Sequence, residues 1–340
     1  MPTLFNRPYS RDELRRLTRT LDQLAGMRLV ELADGKARGM RAVDVWTGSG
    51  LRFTVYLDRG MDIGPADYSG KPLAWLHPAL GTPAQYEPQG YGWLRTFGGG
   101  LLTTCGLSHF GQPEHDGGQH FGLHGRISHL PAQNVRLAAF WQDDDYLLHI
   151  EGDVREAALF GENLLFARRI TARLGGTAFR IEDCVRNEGH RPAPHMLLYH
   201  CNFGFPVVSP DSVLRVDDES VRPRDEAAAR GLATHTRFDA PDPDYREQVF
   251  FHVPRPDATG FVTASIINTA LNFGAYVRYR AAELPALSQW KMMGAGDYVC
   301  ALEPCTVHET LRATLRREGR LRYLEPGEEV HYVVELGVSN

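Results

Sequence analysis

Leucines at 14, 17, 21 and 24 recur at helical spacing behind Ser10-Arg-Asp-Glu13. That tetrapeptide is a capping box: the serine oxygen accepts from the glutamate amide, and the glutamate reaches back to the serine N–H. The pattern predicts one helix, which Gly26 ends. From there the period drops to two. Residues 27–31, 42–46 and 51–57 alternate as strands, with Gly48-Ser-Gly50 as the turn between the last two. Residues 135–141 and 146–151 flank Asp143-Asp-Asp145, and 164–174 and 178–186 flank Gly175-Gly-Thr177. Further strands are expected at 196–203, 249–253, 261–268, 274–279, 298–302 and 329–338. Many strands, regular turn signals and a single well-marked helix predict an all-β chain, a large antiparallel sandwich with a short N-terminal helix.

Two stretches break the rhythm. Residues 78–122 are rich in Gly, Pro and aromatics and too long for a plain connection, which makes them a candidate binding rim. Residues 222–243 read as a short surface helix and loop. No fixed-period repeat, low-complexity tract or linker divides the 340 residues, so the expectation is one domain over 1–340, with 1–26 packed on it.

Bulk properties narrow the function. The net charge of -5 carries no basic block, which argues against nucleic acid as a partner. The N-terminus lacks the apolar core of a signal peptide and no apolar run reaches membrane-spanning length, so no membrane association and a cytoplasmic location are expected. Five cysteines, odd in number and without a CxxC pair, read as reduced thiols. Cys201 stands beside His200, yet a free Cys is most often a small buried apolar residue.

Ionisable groups inside apolar strand sequence are the chemical signal, because burial without a partner or task is costly. His200 lies in Met196-Leu-Leu-Tyr-His-Cys-Asn-Phe203, where an imidazole could hold or release a proton. The bland alternative is a core histidine satisfied by a carbonyl. The following Asn202 and Gly204 suit a strand end opening into a site. Glu303 follows four apolar residues in Tyr298-Val-Cys-Ala-Leu-Glu-Pro304; Pro304 is expected to close the strand and leave Glu303 at its edge, with desolvation raising the pKa toward that of a general base. A buried ion pair to an arginine is the structural alternative. His124 sits between glycines in Gly122-Leu-His-Gly-Arg126, where a ligand can approach closely. Arg126 and Arg59 are candidate ligand-binding cations, each weighed against a structural ion pair. Gln289-Trp290 offers an amide and an aromatic face.

The histidines at 109, 115, 120, 124 and 129 invite a metal reading, but the Gly-rich sequence does not put 120 and 124 on a helix, and no metal site is expected. Phe97-Gly-Gly-Gly100 lacks the GxGxxG spacing of a dinucleotide site, and neither a P-loop nor a GxSxG is present.

Taken together, Leu123-His-Gly125, Tyr199-His-Cys-Asn-Phe203 and Val299-Cys-Ala-Leu-Glu-Pro304 resemble, in order and wide spacing, the motifs of the aldose 1-epimerase (galactose mutarotase-like) superfamily. The likeness runs from about Leu51 to Val338 and is strongest to its poorly characterised bacterial branch. It implies a β-supersandwich and cofactor-independent interconversion of sugar anomers. Carried over by position, His200 is the acid, Glu303 the base and His124 a substrate-binding residue. The family's Asn-Arg pair before the first histidine is absent: Leu101-Leu-Thr-Thr-Cys-Gly-Leu107 stands there, so the hydroxyl-reading part of the pocket differs.

The resulting expectation is a mutarotase acting on a free aldose or related sugar. Arg59, Arg126, His124, Asn202, Gln289 and Trp290 would bind the substrate, and Trp75, Trp93 or Trp290 would stack on it. No cofactor is required for acid–base work. The partner is a small-molecule sugar, and a homodimer is allowed. The alternatives are a non-catalytic carbohydrate-binding or sensing protein and, further off, a metal-assisted sugar isomerase or lyase using the 109–129 histidines.

Overall fold

The computed structural model describes residues 1–308 and 311–339. Strands make up 50% of it and helices 11%, with antiparallel sheets, so the fold is the all-β antiparallel architecture that the alternation predicts, in agreement with the supersandwich that the resemblance implies. One sheet of eight strands runs Gln133–Gln142, Asp145–Ala157, Asn163–Arg173, Ala178–Asn187, Glu329–Ser339, Phe273–Arg280, Phe261–Asn268 and Ser212–Arg215. A second orders Asp218–Pro223, Gln248–Pro254, Ala286–Met293, Tyr298–Cys305, Ala193–Phe203 and Arg322–Leu324, with Thr103–Leu107 also pairing with Ala193–Phe203. A third, of five strands, spans Gly26–Glu31 to Lys71–Pro72.

The burial patterns explain the layering. Asn163–Arg173 and Ala178–Asn187 bury every second residue, one face inward and one outward. Ala193–Phe203 and Tyr298–Cys305 are buried almost throughout, so they form the central strands. Phe166 and Ile181 of the first sheet, Leu197 and Leu302 of the second, Val43 and Phe53 of the third, and Leu4 and Leu14 of the N-terminal segment share one core. No helix among the described residues is long and apolar enough to cross a membrane.

A buried polar knot ties the layers. Arg168 grips Asp183 with two donors, at 2.9 and 2.7 Å, and the Tyr199 hydroxyl donates to the same carboxylate at 2.6 Å. Asp62 accepts from the Thr104 amide and hydroxyl at 2.9 and 2.7 Å and faces Arg168 at 3.5 Å. Burial nevertheless pushes the Asp62 carboxyl up to about 6.

The N-terminal helix is shorter than its leucine spacing suggests. The capping box forms, but the helix covers only Arg11–Leu17 and a 3₁₀ turn follows at Leu21–Gln23. Thr18 is extended and its hydroxyl turns back onto the Leu14 carbonyl at 2.9 Å, while Thr20 caps the next turn. Two β-branched hydroxyl residues thus satisfy the backbone outside the helix. Leu17 is left 65% exposed.

Candidate functional site

Strand register assembles the site. His200 pairs with Thr103, and Glu303 pairs with Ser288. Between these strands, Leu198 opposes Cys305 and Cys201 opposes Leu302, a register that sets His200 directly across from Glu303. Pro304 does not close its strand as expected from sequence. It pairs with Leu287 inside Tyr298–Cys305, and Glu303 therefore stands on a central strand rather than at an edge. Proline lacks the donor for a continuous ladder, and the pairing to Ala193–Phe203 is interrupted at this point, between Leu198–Cys305 and Cys201–Leu302.

His200 Nε2 lies 3.2 Å from Glu303 Oε1, with both side chains almost fully buried. The other ring nitrogen is fixed by Asn202. The Asn202 amide nitrogen donates to the carbonyls of Gly100 and His200, at 2.9 and 3.0 Å, so its Oδ1 is the atom that faces His200 Nδ1 at 2.5 Å. An acceptor there requires the proton on Nδ1 and leaves Nε2 to face Glu303 and the ligand. Burial drives the imidazole down to about 4, with the Asn202 bond and the Glu247 charge acting upward. The adjacent Glu303 carboxylate favours the cation by the same Coulomb argument.

The pair lies on the floor of a cavity of about 420 Å³. Its walls are rings: Phe97 stands 5.6 Å and Trp290 5.5 Å from the His200 ring, and Trp75 meets Phe97 at 5.8 Å. Trp93 also lines it, held by a 3.1 Å hydrogen bond from its indole to Ser128. His124 packs edge-on to His200 at 5.6 Å, and burial together with the His200 and His109 charges holds its pKa well below the usual value. It is a neutral imidazole at physiological pH. The backbone there demands the flanking glycine: His124 and Gly125 both have positive φ, 58° and 74°, and a Cβ on residue 125 would collide with the carbonyl oxygens of His109 and Gly106.

Four of the candidate residues therefore meet in one cavity: His200, Glu303, His124 and Trp290. Four do not line it. Asn202 acts behind His200. Arg59 turns away, donating to the Gly81 carbonyl at 2.8 Å and approaching His129 at 3.3 Å, and burial lowers its pKa to about 10. Its neighbours Asp58 and Asp62 are taken by Arg41 and Arg168. Arg126 begins the 3₁₀ turn Ile127–His129, outside the cavity lining. Gln289 points to the opposite face of its strand from Trp290, bonded to His252 at 3.2 Å and to the His235 carbonyl at 2.8 Å. Cys201 is buried with its thiol pushed far above its ordinary pKa, which suits the apolar reading.

The histidines of 109–129 scatter. His115 and His120 pair across a surface hairpin, His109 is buried near Glu114, and His129 stacks on Tyr86 and bonds Thr96 at 2.7 Å. They share no common centre. Among the described residues, only Cys184, Glu329 and His331 bring three metal-ligating groups together, on the outer face of the eight-stranded sheet. Arg224 and Glu247 were not anticipated: Arg224 donates to Glu247 at 2.9 Å, and Glu247 also accepts from the Trp290 indole at 2.9 Å. Both lie in loops, where no alternation marks an inward position.

The antiparallel all-β fold that carries this cavity is that of galactose mutarotase-like proteins. Residues 37–338 match the family described as a domain of unknown function (DUF4432), and the chain belongs to that family. No curated protein matches it in sequence. Among solved structures, it resembles a candidate aldose 1-epimerase of Klebsiella pneumoniae with 26% identity and a TM-score of 0.88, over 94% of this chain and 86% of that one. A galactose mutarotase-like protein of Clostridium acetobutylicum (14% identity, TM-score 0.64, 94% and 99% covered) shares the fold. So does a galactose 1-epimerase of Lactobacillus acidophilus (12%, 0.61, 93% and 99%).

Proposed function

We propose that this protein interconverts the anomers of a free aldose by acid–base opening of the ring. The observation that carries the reading is the 3.2 Å approach of His200 Nε2 to Glu303 Oε1 on the floor of one cavity. Two oxygens bonded to a single carbon, the ring oxygen and the anomeric hydroxyl, are spaced to meet two such groups. The likeness to aldose 1-epimerase-like structures points the same way.

In the fraction that carries a proton on His200, which burial keeps small and the facing carboxylate favours, Glu303 accepts the proton of the anomeric hydroxyl while the His200 imidazolium gives its Nε2 proton to the ring oxygen. The C1–O5 bond breaks as the C1–O1 double bond forms. Rotation about C1–C2 turns the other face of the aldehyde toward O5. On closure O5 attacks C1, its proton returns to His200, and Glu303 returns its own to O1. Each cycle restores both groups, so the pair works while it holds one proton between them. His124, neutral and beside the pair, serves a hydroxyl as hydrogen-bond partner.

Saturation-transfer NMR on a panel of free aldoses tests the reading directly. The expected result is anomer exchange far above the buffer rate with at least one sugar. Binding without acceleration across the panel would instead make the protein a carbohydrate receptor.

A further inference from the structure

The edge strand of a sheet turns half of its backbone donors and acceptors outward, and natural edges are kept short or charged for that reason. Five ends of the three large sheets follow the rule. Ser212–Arg215, Arg322–Leu324 and Lys71–Pro72 have four, three and two residues. Asp218–Pro223 carries Asp218, Glu219 and Arg222, and Gly26–Glu31 carries Arg28 and Glu31. Gln133–Gln142 departs from it. This edge of the eight-stranded sheet is ten residues long, and its only charged side chain is Arg136. Among the described residues it pairs with Asp145–Ala157 alone, and no loop bonds to the backbone along its outer side.

The strand is apolar on both faces. Leu137 and Ala139 lie opposite the buried Ile150 and Leu148, on the core side, yet Leu137 is 37% exposed with no further strand beside it. Phe140, on the outer side, rests against the His149 ring at 4.9 Å and is equally exposed. An open backbone edge between two carbon-bearing faces fits a second extended strand, and the sequence of this strand complements itself. Two copies related by a two-fold axis normal to the sheet run antiparallel, with opposed residues on the same face. An axis at Ala138 sets Leu137 against the partner's Ala139 and Val135 against the partner's Trp141. On the outer face, Arg136 meets the partner's Phe140, so each guanidinium finds a ring and the two cations stay apart. Moving the axis by one residue would bring Asn134 or Asp143 into the ladder, and both have positive φ, 55° and 52°.

We propose that the protein is a homodimer in which Gln133–Gln142 pairs antiparallel with its own copy about Ala138, joining the two eight-stranded sheets into one. The proposal is independent of the ring-opening chemistry.

Sedimentation velocity of the full chain across micromolar concentrations tests it. Wild type should sediment as a dimer. Ala138→Glu sets like charges face to face at the axis, and Phe140→Lys sets a cation against Arg136 of the other copy at both ends of the seam. Each should raise the dimer dissociation constant about tenfold or more, with the far-ultraviolet circular dichroism unchanged. Adding Arg136→Glu to Phe140→Lys should restore the dimer, because opposite charges then meet across the seam and nowhere within one chain's own strand. A monomeric wild type overturns the proposal. So does a dimer that both single variants leave intact, which would place the contact on another face. Loss of the dimer in Phe140→Lys without recovery in the double variant overturns the register. If Ala138→Glu does not fold, Phe140→Lys and its rescue carry the test.

Discussion

Asn202 Oδ1 lies 2.5 Å from His200 Nδ1, and that single contact decides which nitrogen of the imidazole faces the ligand. Asn202→Ala removes the acceptor together with the two bonds that its amide makes to carbonyl oxygens. Turnover of the preferred sugar should fall about 10- to 100-fold, the usual cost of losing a residue that orients a histidine, with little change in KM. Asn202→Asp should retain the tautomer and add a charge that favours the imidazolium. Its pH–rate profile should keep activity to higher pH than wild type, because the pair then gives up its shared proton later. An unshifted alkaline limb would argue against this role.

Glu303→Gln keeps the shape of the side chain and removes the proposed base. Anomer exchange should drop by about 10²- to 10⁴-fold, the contribution of a positioned proton-transfer group. Sugar binding by calorimetry should persist, and far-ultraviolet circular dichroism should not change. Full activity in this variant would move the base elsewhere.

Stability should decline on acidification, beginning near neutrality. Burial lowers His109 and His195 to about 4, and burial with the Arg59 charge lowers His129 to about 2. Below the unfolded value of 6.5 the unfolded chain binds protons at these rings that the native protein refuses, so stability is lost as pH falls from 6.5 toward 4. Asp62 works in the opposite sense: raised to about 6, it takes up a proton in the native state first and returns some stability between 6 and 3.8. Three histidines outweigh one aspartate, and the urea midpoint at about pH 5 should lie below that at about pH 7.5. An equal or higher midpoint at the acid pH would contradict the balance.

Arg168→Met leaves Asp183 buried without its counter-charge. The expected loss is about 3–5 kcal/mol in urea unfolding, since breaking a buried pair strands the remaining ion. The double variant Arg168→Met, Asp183→Leu should recover part of it, although Tyr199 then loses its acceptor. A single variant as stable as wild type would show that the knot is not required.

Regular alternation made most strands legible. Phe261–Asn268 has its predicted bounds, and Ala178–Asn187 extends one residue further. Three strands were among those not legible as such. Thr103–Leu107 is buried on both faces and five residues long, so no period can show. Ala286–Met293 hides Gln289 and Lys291 among its buried positions, and Asp62–Tyr68 starts with a carboxylate whose partner, Arg168, is 106 positions away in sequence. His200, Glu303 and His124 stood out because ionisable groups are rare in apolar strand sequence. Arg59 misled for the same reason: the rule flags a buried charge but not which way it turns.

His200 and Glu303 stand on neighbouring strands in the middle of a sheet, while much of the mouth comes from the long stretch before Thr103. In the proposed reaction, proton transfer and selection of the sugar would thus be entrusted to separate parts of the chain. Exchanges at the exposed Tyr91 or Leu94 would redirect the protein toward another molecule without disturbing the hydrogen bonds that orient His200. This division makes the scaffold tolerant of new appetites.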